Sequence, residues 1–297
     1  MNSMLLRLTI LGVAVLAAGA SSQYKVQRAA LVPHQQPNQR SGQSMGDNRQ
    51  EISLGTSTLS VLTDPKEAPG ENAGLYIPRV HVSGAARFRL TRDFDMGVLY
   101  DQGLDKNSMP IQDGQPEVDN GDVYGGGLTL YYSVDTGNPD LRIGLGLDAL
   151  FYSIPYVQYR DCITNCIPGV NDFTDIKRDR DTVPVIAFGI TPSWRLTPEL
   201  SAFGGVTMRN HPTVPRTEIE DIIGDEDPVE AGPMNFIANA GVEYAFSNGI
   251  RAMVHMFQPV YADPVRYGPT FGAAFTIPLG RDKKPAATQA MPVTAQR

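Results

Sequence analysis

The chain of 297 residues carries 25 Lys and Arg against 32 Asp and Glu, for a net charge of −7 and a sequence pI of about 5.1. It has no basic excess, so no nucleic-acid partner is expected. At 41% hydrophobic and 19% charged residues it is not a disordered chain or a coiled coil; two Cys exclude a disulfide scaffold or a four-thiolate metal site.

Residues 1–20 read as a secretory signal peptide. Arg7 supplies the positive start, Leu8 to Ala18 the apolar stretch, and Ala18-Gly19-Ala20 the small-residue cleavage site. Ala20 stands where a lipoprotein would have Cys, so no lipid anchor is predicted. Residues 21–50 are rich in Gln, Ser, Asn and Pro and read as a flexible periplasmic linker. Residues 281–297 read as a flexible basic tail.

Past residue 20 no run of 18 apolar residues occurs, which excludes a helical membrane protein. Period-two alternation fills residues 51–280 instead. Glu51–Thr63 has β-propensity with a weak apolar face. In Val80–Leu90, the even-numbered Val80, Val82, Ala86, Phe88 and Leu90 share a face opposite His81, Arg87 and Arg89. Phe94, Met96, Val98 and Tyr100 follow a tight turn. Further apolar faces run through Leu128–Tyr132, Leu141–Phe151, Ile186–Trp194, Leu200–Met208, Phe236–Phe246, Ile250–Met256 and Phe271–Leu279. The strands number about ten, with a range of eight to ten. Their length suits the roughly 9–11 residues of a tilted membrane strand.

The connections alternate short and long. Thr91–Asp93, Asp135–Asp140, Leu196–Pro198 and Ser247–Gly249 are short, the last with the Asn-Gly hairpin signal. Residues 64–74, 102–121, 156–182, 210–233 and 261–267 are the long loops. This predicts an all-β, closed antiparallel up-and-down transmembrane barrel with short periplasmic turns and long extracellular loops. A lipocalin-type barrel or a sandwich also alternates. Glycines on the polar face and aromatic residues near strand ends favour the membrane barrel. The aromatic girdle is expected at Tyr100, Tyr152, Tyr156, Tyr261 and Tyr267 on one rim, and at Tyr132, Trp194 and Tyr244 on the other.

The last strand, Thr270-Phe271-Gly272-Ala273-Ala274-Phe275-Thr276-Ile277, carries a polar-x-Gly-x-x-aromatic-x-hydrophobic pattern. With the architecture and the signal peptide, it resembles the small outer-membrane β-barrel proteins of Gram-negative bacteria, whose assembly machinery reads such a signal. The resemblance implies an outer-membrane location and contact with outer-membrane lipid and lipopolysaccharide. The chain departs from many members by continuing past Gly280.

No G-x-S-x-G, P-loop or H-E-x-x-H occurs, so no catalytic residue is assigned. Barrel proteases use an Asp pair and an Asp-x-His set at the outer rim, but His211 has no Asp two residues before it. His81 and His255 fall on the polar face. Cys162 and Cys166, in an exported loop, are expected to form a disulfide. The long loops are acidic; residues 210–233 hold seven carboxylates against Arg216. Asp119, Asp122, Asp225 and Asp227 are candidates for weak Ca²⁺ or Mg²⁺ binding, and no other cofactor is expected. Inward-facing Arg87, Arg89, Asp95, Arg142, Asp148, Glu243 and Arg251 should pair into a network that fills the lumen. The function expected is that of a non-enzymatic structural or interaction protein. It would work through its acidic extracellular loops, with envelope or surface proteins as partners. A narrow channel for small solutes is the alternative, and a loop-rim hydrolase a third reading.

Overall fold

A computed structural model describes residues 23–34, 36, 40–43, 45, 48–59, 75–104, 121–164, 173–213, 229–261 and 268–281. The signal peptide and residues 282–297 lie outside the described residues. Among the described residues twelve strands form one sheet: β1 (Gln23–Leu31), β2 (Asn48–Leu59), β3 (Leu75–Tyr76), β4 (Val80–Arg89), β5 (Phe94–Gly103), β6 (Tyr124–Asp135), β7 (Leu141–Thr164), β8 (Phe173–Arg195), β9 (Leu200–Thr213), β10 (Glu230–Ala245), β11 (Arg251–Tyr261) and β12 (Thr270–Arg281). Ten of them close a ring. From β4 to β12 each pairs antiparallel with its sequence neighbour, and β2 joins β4 on one side and β12 on the other. Closure runs from Thr270↔Leu59 at one rim to Arg281↔Asn48 at the other.

The tight connections lie at the Asn48 rim. In the β10–β11 turn Gly249 has φ 87°, which a side chain would disfavour, and the Ile250 amide donates to Asn248 Oδ1 at 3.0 Å. In the β4–β5 turn the Phe94 amide donates to Thr91 Oγ1 at 3.1 Å.

Two expectations fail at the opposite rim. The connection expected over 156–182 is largely strand: β7 and β8 have 24 and 23 residues and stay paired to Asp161↔Phe173. That is more than twice the roughly 9–11 residues needed to cross a membrane, so the hairpin stands out beyond the barrel. Its charged residues hide this in the sequence, because they make the segment look like a solvated loop. The second failure is the flexible linker. Residues 23–31 are β1, which pairs antiparallel with the protruding part of β7 from Gln23↔Thr164 to Ala30↔Tyr156. The β6–β7 ladder ends at Tyr124↔Ser153, so β1 takes over as the neighbour of β7 where β6 stops. The edge of the hairpin is thereby paired, as a long exposed edge requires. β3 adds two parallel pairs, Ala30↔Leu75 and Leu31↔Tyr76.

β1 runs from the hairpin tip towards the barrel, and the described residues beyond Leu31 continue inward, with β2 beginning at Asn48 on the short-turn rim. Val32, His34, Gln36, Arg40, Ser41 and Met45 are all buried. The N-terminal segment is thus a thread through the lumen.

Candidate functional site: the threaded lumen

The thread meets two kinds of wall. At the long-loop end Ala30, Leu31 and Val32 pack in an apolar cluster with Leu150, Tyr152, Ile154, Tyr156 and Val157 of β7, Val183 and Val185 of β8, and Val123 and Val229. Deeper in, the contacts are polar. The His34 ring stacks on His81 with centroids 4.0 Å apart. Its Nδ1 lies 3.2 Å from Ser57 Oγ, its Nε2 bonds the Pro78 carbonyl, and its amide donates to His81 Nε2 at 3.3 Å. Because His81 Nε2 accepts, Nδ1 carries the proton and donates to Asp101 at 3.2 Å. Asp101 also accepts from Tyr152 Oη at 2.8 Å, and Tyr152 in turn accepts from Arg209 at 3.0 Å. Gln36 joins the group through Ser57, Asp101 and Arg209.

Nearer the short-turn rim, Arg40 Nη1 lies 2.5 Å from Asp95 Oδ1, and its guanidinium covers the Tyr131 ring at 3.9 Å. Tyr131 Oη donates to the Ser41 carbonyl at 2.6 Å, and Ser133 Oγ to the Gly42 carbonyl at 2.8 Å. Ser41 Oγ donates to Glu243 at 2.9 Å. A Cβ on Gly42 would stand 2.6 Å from the Thr191 carbonyl, so glycine is what lets the thread lie flat on the wall. On β7 a Cβ at Gly144 would overlap the Tyr131 hydroxyl, so a small residue there makes room for a long partner.

The charged residues expected in the lumen lie on the inner wall, with partners that differ from expectation. Arg89 and Asp95 are opposed in register, yet the guanidinium 2.5 Å from Asp95 is that of Arg40, from the thread. Arg87 donates to Ser53 at 2.7 Å, and Asp148 is buried. Arg251 lies 2.5 Å from Glu51 and 3.7 Å from Glu243. Arg142 sits at the short-turn rim with Asp93 and Asp135 at 3.5 and 3.3 Å. Sequence reasoning missed Arg40, His34, Gln36, Glu51 and Arg209. The missed signal was the inward alternation of Leu150, Tyr152 and Ile154 and of Val183 and Val185, since an apolar inner face must be covered by something apolar.

Two girdle assignments are corrected. Tyr152 and Tyr156 are each 1% exposed and point inward, because they share parity with Leu150 and not with outward Phe151. Tyr100, Tyr132, Trp194 and Tyr244 do face outward. Tyr261 and Cys162 fall within strands whose side chains at those positions are outside the described residues, as are Tyr267, Cys166, Asp119, Asp225 and Asp227. Asp122 accepts from Gln102 at 2.9 Å. Among the described residues no three potential metal ligands cluster.

The outer surface decides the class. Each strand of the ring contributes a large apolar side chain that is 40–61% exposed: Leu54, Phe88, Val98, Leu128, Phe151, Ile186, Val206, Val242, Val254 and Phe275. A continuous apolar band around a closed antiparallel barrel with a polar interior is built for lipid. The chain is an outer-membrane β-barrel protein.

No protein-family model matches the barrel sequence, and no curated protein matches it. Among solved structures it is similar to the N-terminal β-barrel domain of OprF from Pseudomonas aeruginosa, at 11% identity and a TM-score of 0.32, covering 78% of this chain and 99% of that one. It is similar to LpxR from Salmonella typhimurium at 11% identity and 0.37, covering 77% and 100%, and to the outer membrane protease OmpT from Escherichia coli at 10% and 0.30, covering 86% and 95%.

Proposed function

We propose that this barrel is a closed, non-enzymatic structural and interaction protein that works at the cell surface. Its working part is the protruding β7–β8 hairpin, edged by β1 and flanked by the acidic loops. The observation that carries this reading is the burial of the chain's own Val32, His34, Gln36, Arg40, Ser41 and Met45 in the lumen. Between thread and wall lie a cavity of about 50 Å³ lined by Gln36, Arg87, Asp101, Asp148, Tyr152 and Arg209, among others, and a wider one of about 220 Å³ at the short-turn rim lined by Gln43, Met45, Asn48, Glu243 and Arg251, among others. Polar spaces of this kind take waters. The Ser, His and Asp side chains around His34 are of hydrolytic type, but they are spent on one another beneath the thread. Lipopolysaccharide phosphates fit the acidic rim only through bridging Ca²⁺ or Mg²⁺, so weak, loop-borne cation binding belongs to the same proposal. Calorimetry without heat from either ion would remove that part.

In planar bilayers the unmodified chain should show little steady conductance, and deletion of residues 23–45 should raise it severalfold. Large steady conductance from the unmodified chain would overturn the closed reading. Epitope tags before Gln23 and at Asn171 should both be labelled on intact cells, and a tag at Asn248 should not. A tag before Gln23 reached only after permeabilisation would mean that the segment is a periplasmic linker after all.

A further inference from the structure

We propose that the inner wall carries a receptor for guanidinium-bearing organic cations, formed by Asp95 and Tyr131, and that Arg40 is its tethered occupant. The proposal rests on the closed-lumen reading for the identity of the occupant, and on the wall residues Asp95, Tyr131 and Gly144 for the receptor.

Asp95 on β5 and Tyr131 on β6 are direct cross-strand partners, so their side chains leave the wall side by side. Asp95 is 3% exposed and Tyr131 2%. The ring is fixed from two sides: its hydroxyl donates to the Ser41 carbonyl, and its tip occupies the space left by Gly144. A carboxylate beside a clamped aromatic face meets both needs of a planar cation. One edge of the guanidinium bonds the carboxylate, and its flat face covers the ring. Arg40 does both. A metal ion would find a single carboxylate and no further ligand set among the described residues.

One observation indicates that Arg40 fills the site imperfectly: its Nη2 is buried without a hydrogen-bond partner. The Asp95–Tyr131 pair selects planar, delocalised cations. Compounds with an exposed guanidinium, including Arg side chains of peptides, are the ligand class.

Chemical rescue tests the receptor. The full-length chain with Arg40→Ala is refolded in detergent and its thermal midpoint is measured in low-millimolar guanidinium chloride against sodium chloride, far below denaturing concentration. Guanidinium should raise the midpoint by several degrees in this variant and leave the unmodified chain and the R40A/D95N double variant unchanged. If R40A refolds poorly, refolding yield becomes the readout, and a guanidinium-dependent yield supports the site. Equal behaviour in the two salts, or equal rescue in the double variant, overturns it. A second arm uses the chain lacking residues 23–45 in bilayers, where guanidinium should interrupt the current and Asp95→Asn should abolish the interruption. If that deletion conducts and guanidinium has no effect, the receptor fails while the closed reading stands. If the deletion does not conduct, the closed reading fails and the rescue result alone decides the receptor.

Discussion

The two halves of the thread are held by different physics. At the long-loop end Ala30, Leu31 and Val32 sit in an apolar cluster, where burial of surface supplies the free energy and geometry is forgiving. Deeper in, His34, Arg40, Ser41 and Gln43 are held by hydrogen bonds and an ion pair to wall groups. Such contacts add little net energy when made, but breaking one strands a buried polar partner. The cap thus anchors the thread, and the polar half sets its register.

Substitutions should separate the halves. The largest loss is expected for Asp95→Ala, about 3–5 kcal/mol, because Arg40 is then left as a buried charge without its carboxylate. The temperature at which the folded barrel changes mobility on a gel should fall accordingly, and an unchanged value would mean that the pair is hydrated. In the cap, Ile154→Ala should cost about 2–4 kcal/mol by emptying a fully buried site, while Ile154→Leu should cost under about 1.5. The polar half should show no such tolerance: Arg40→Lys keeps the charge but gives up the planar contact with Tyr131. If Arg40→Lys proves as mild as Ile154→Leu, the contrast collapses. Ser133→Ala removes a single bond to the Gly42 carbonyl and should cost about 0.5–1.5 kcal/mol. The smallest effect is that of salt. Thermal midpoints should shift little between physiological and molar sodium chloride, since buried pairs are screened far less than exposed ones.

The same division explains what could be read in advance. Phe88, Val98, Phe151 and Phe275 were legible as one face of alternating strands, because lipid contact imposes a local, period-two rule on every strand. The short turns were legible for the same reason, since Asn248-Gly249 carries its turn in its own chemistry. Tyr152 and Tyr156 were misassigned when closeness to a strand end outweighed parity, and parity was the better guide. The thread was not legible. Its Gln, Asn, Ser and Gly residues have the composition of a linker, and the same short polar side chains serve equally well to bond a polar wall.

What the sequence by itself determined is the wall: alternation, turn residues and the order of short and long connections dictate an antiparallel barrel, because each depends on neighbours in the chain. Only the tertiary structure decided what fills it. Arg40 meets Asp95 across 55 positions, Ser41 meets Glu243 across 202, and β1 finds β7 where β6 ends. These contacts have no period and no motif. They exist because a closed ring of strands encloses a volume of polar and apolar groups that must be satisfied, and the segment that satisfies them enters from the far side of the barrel.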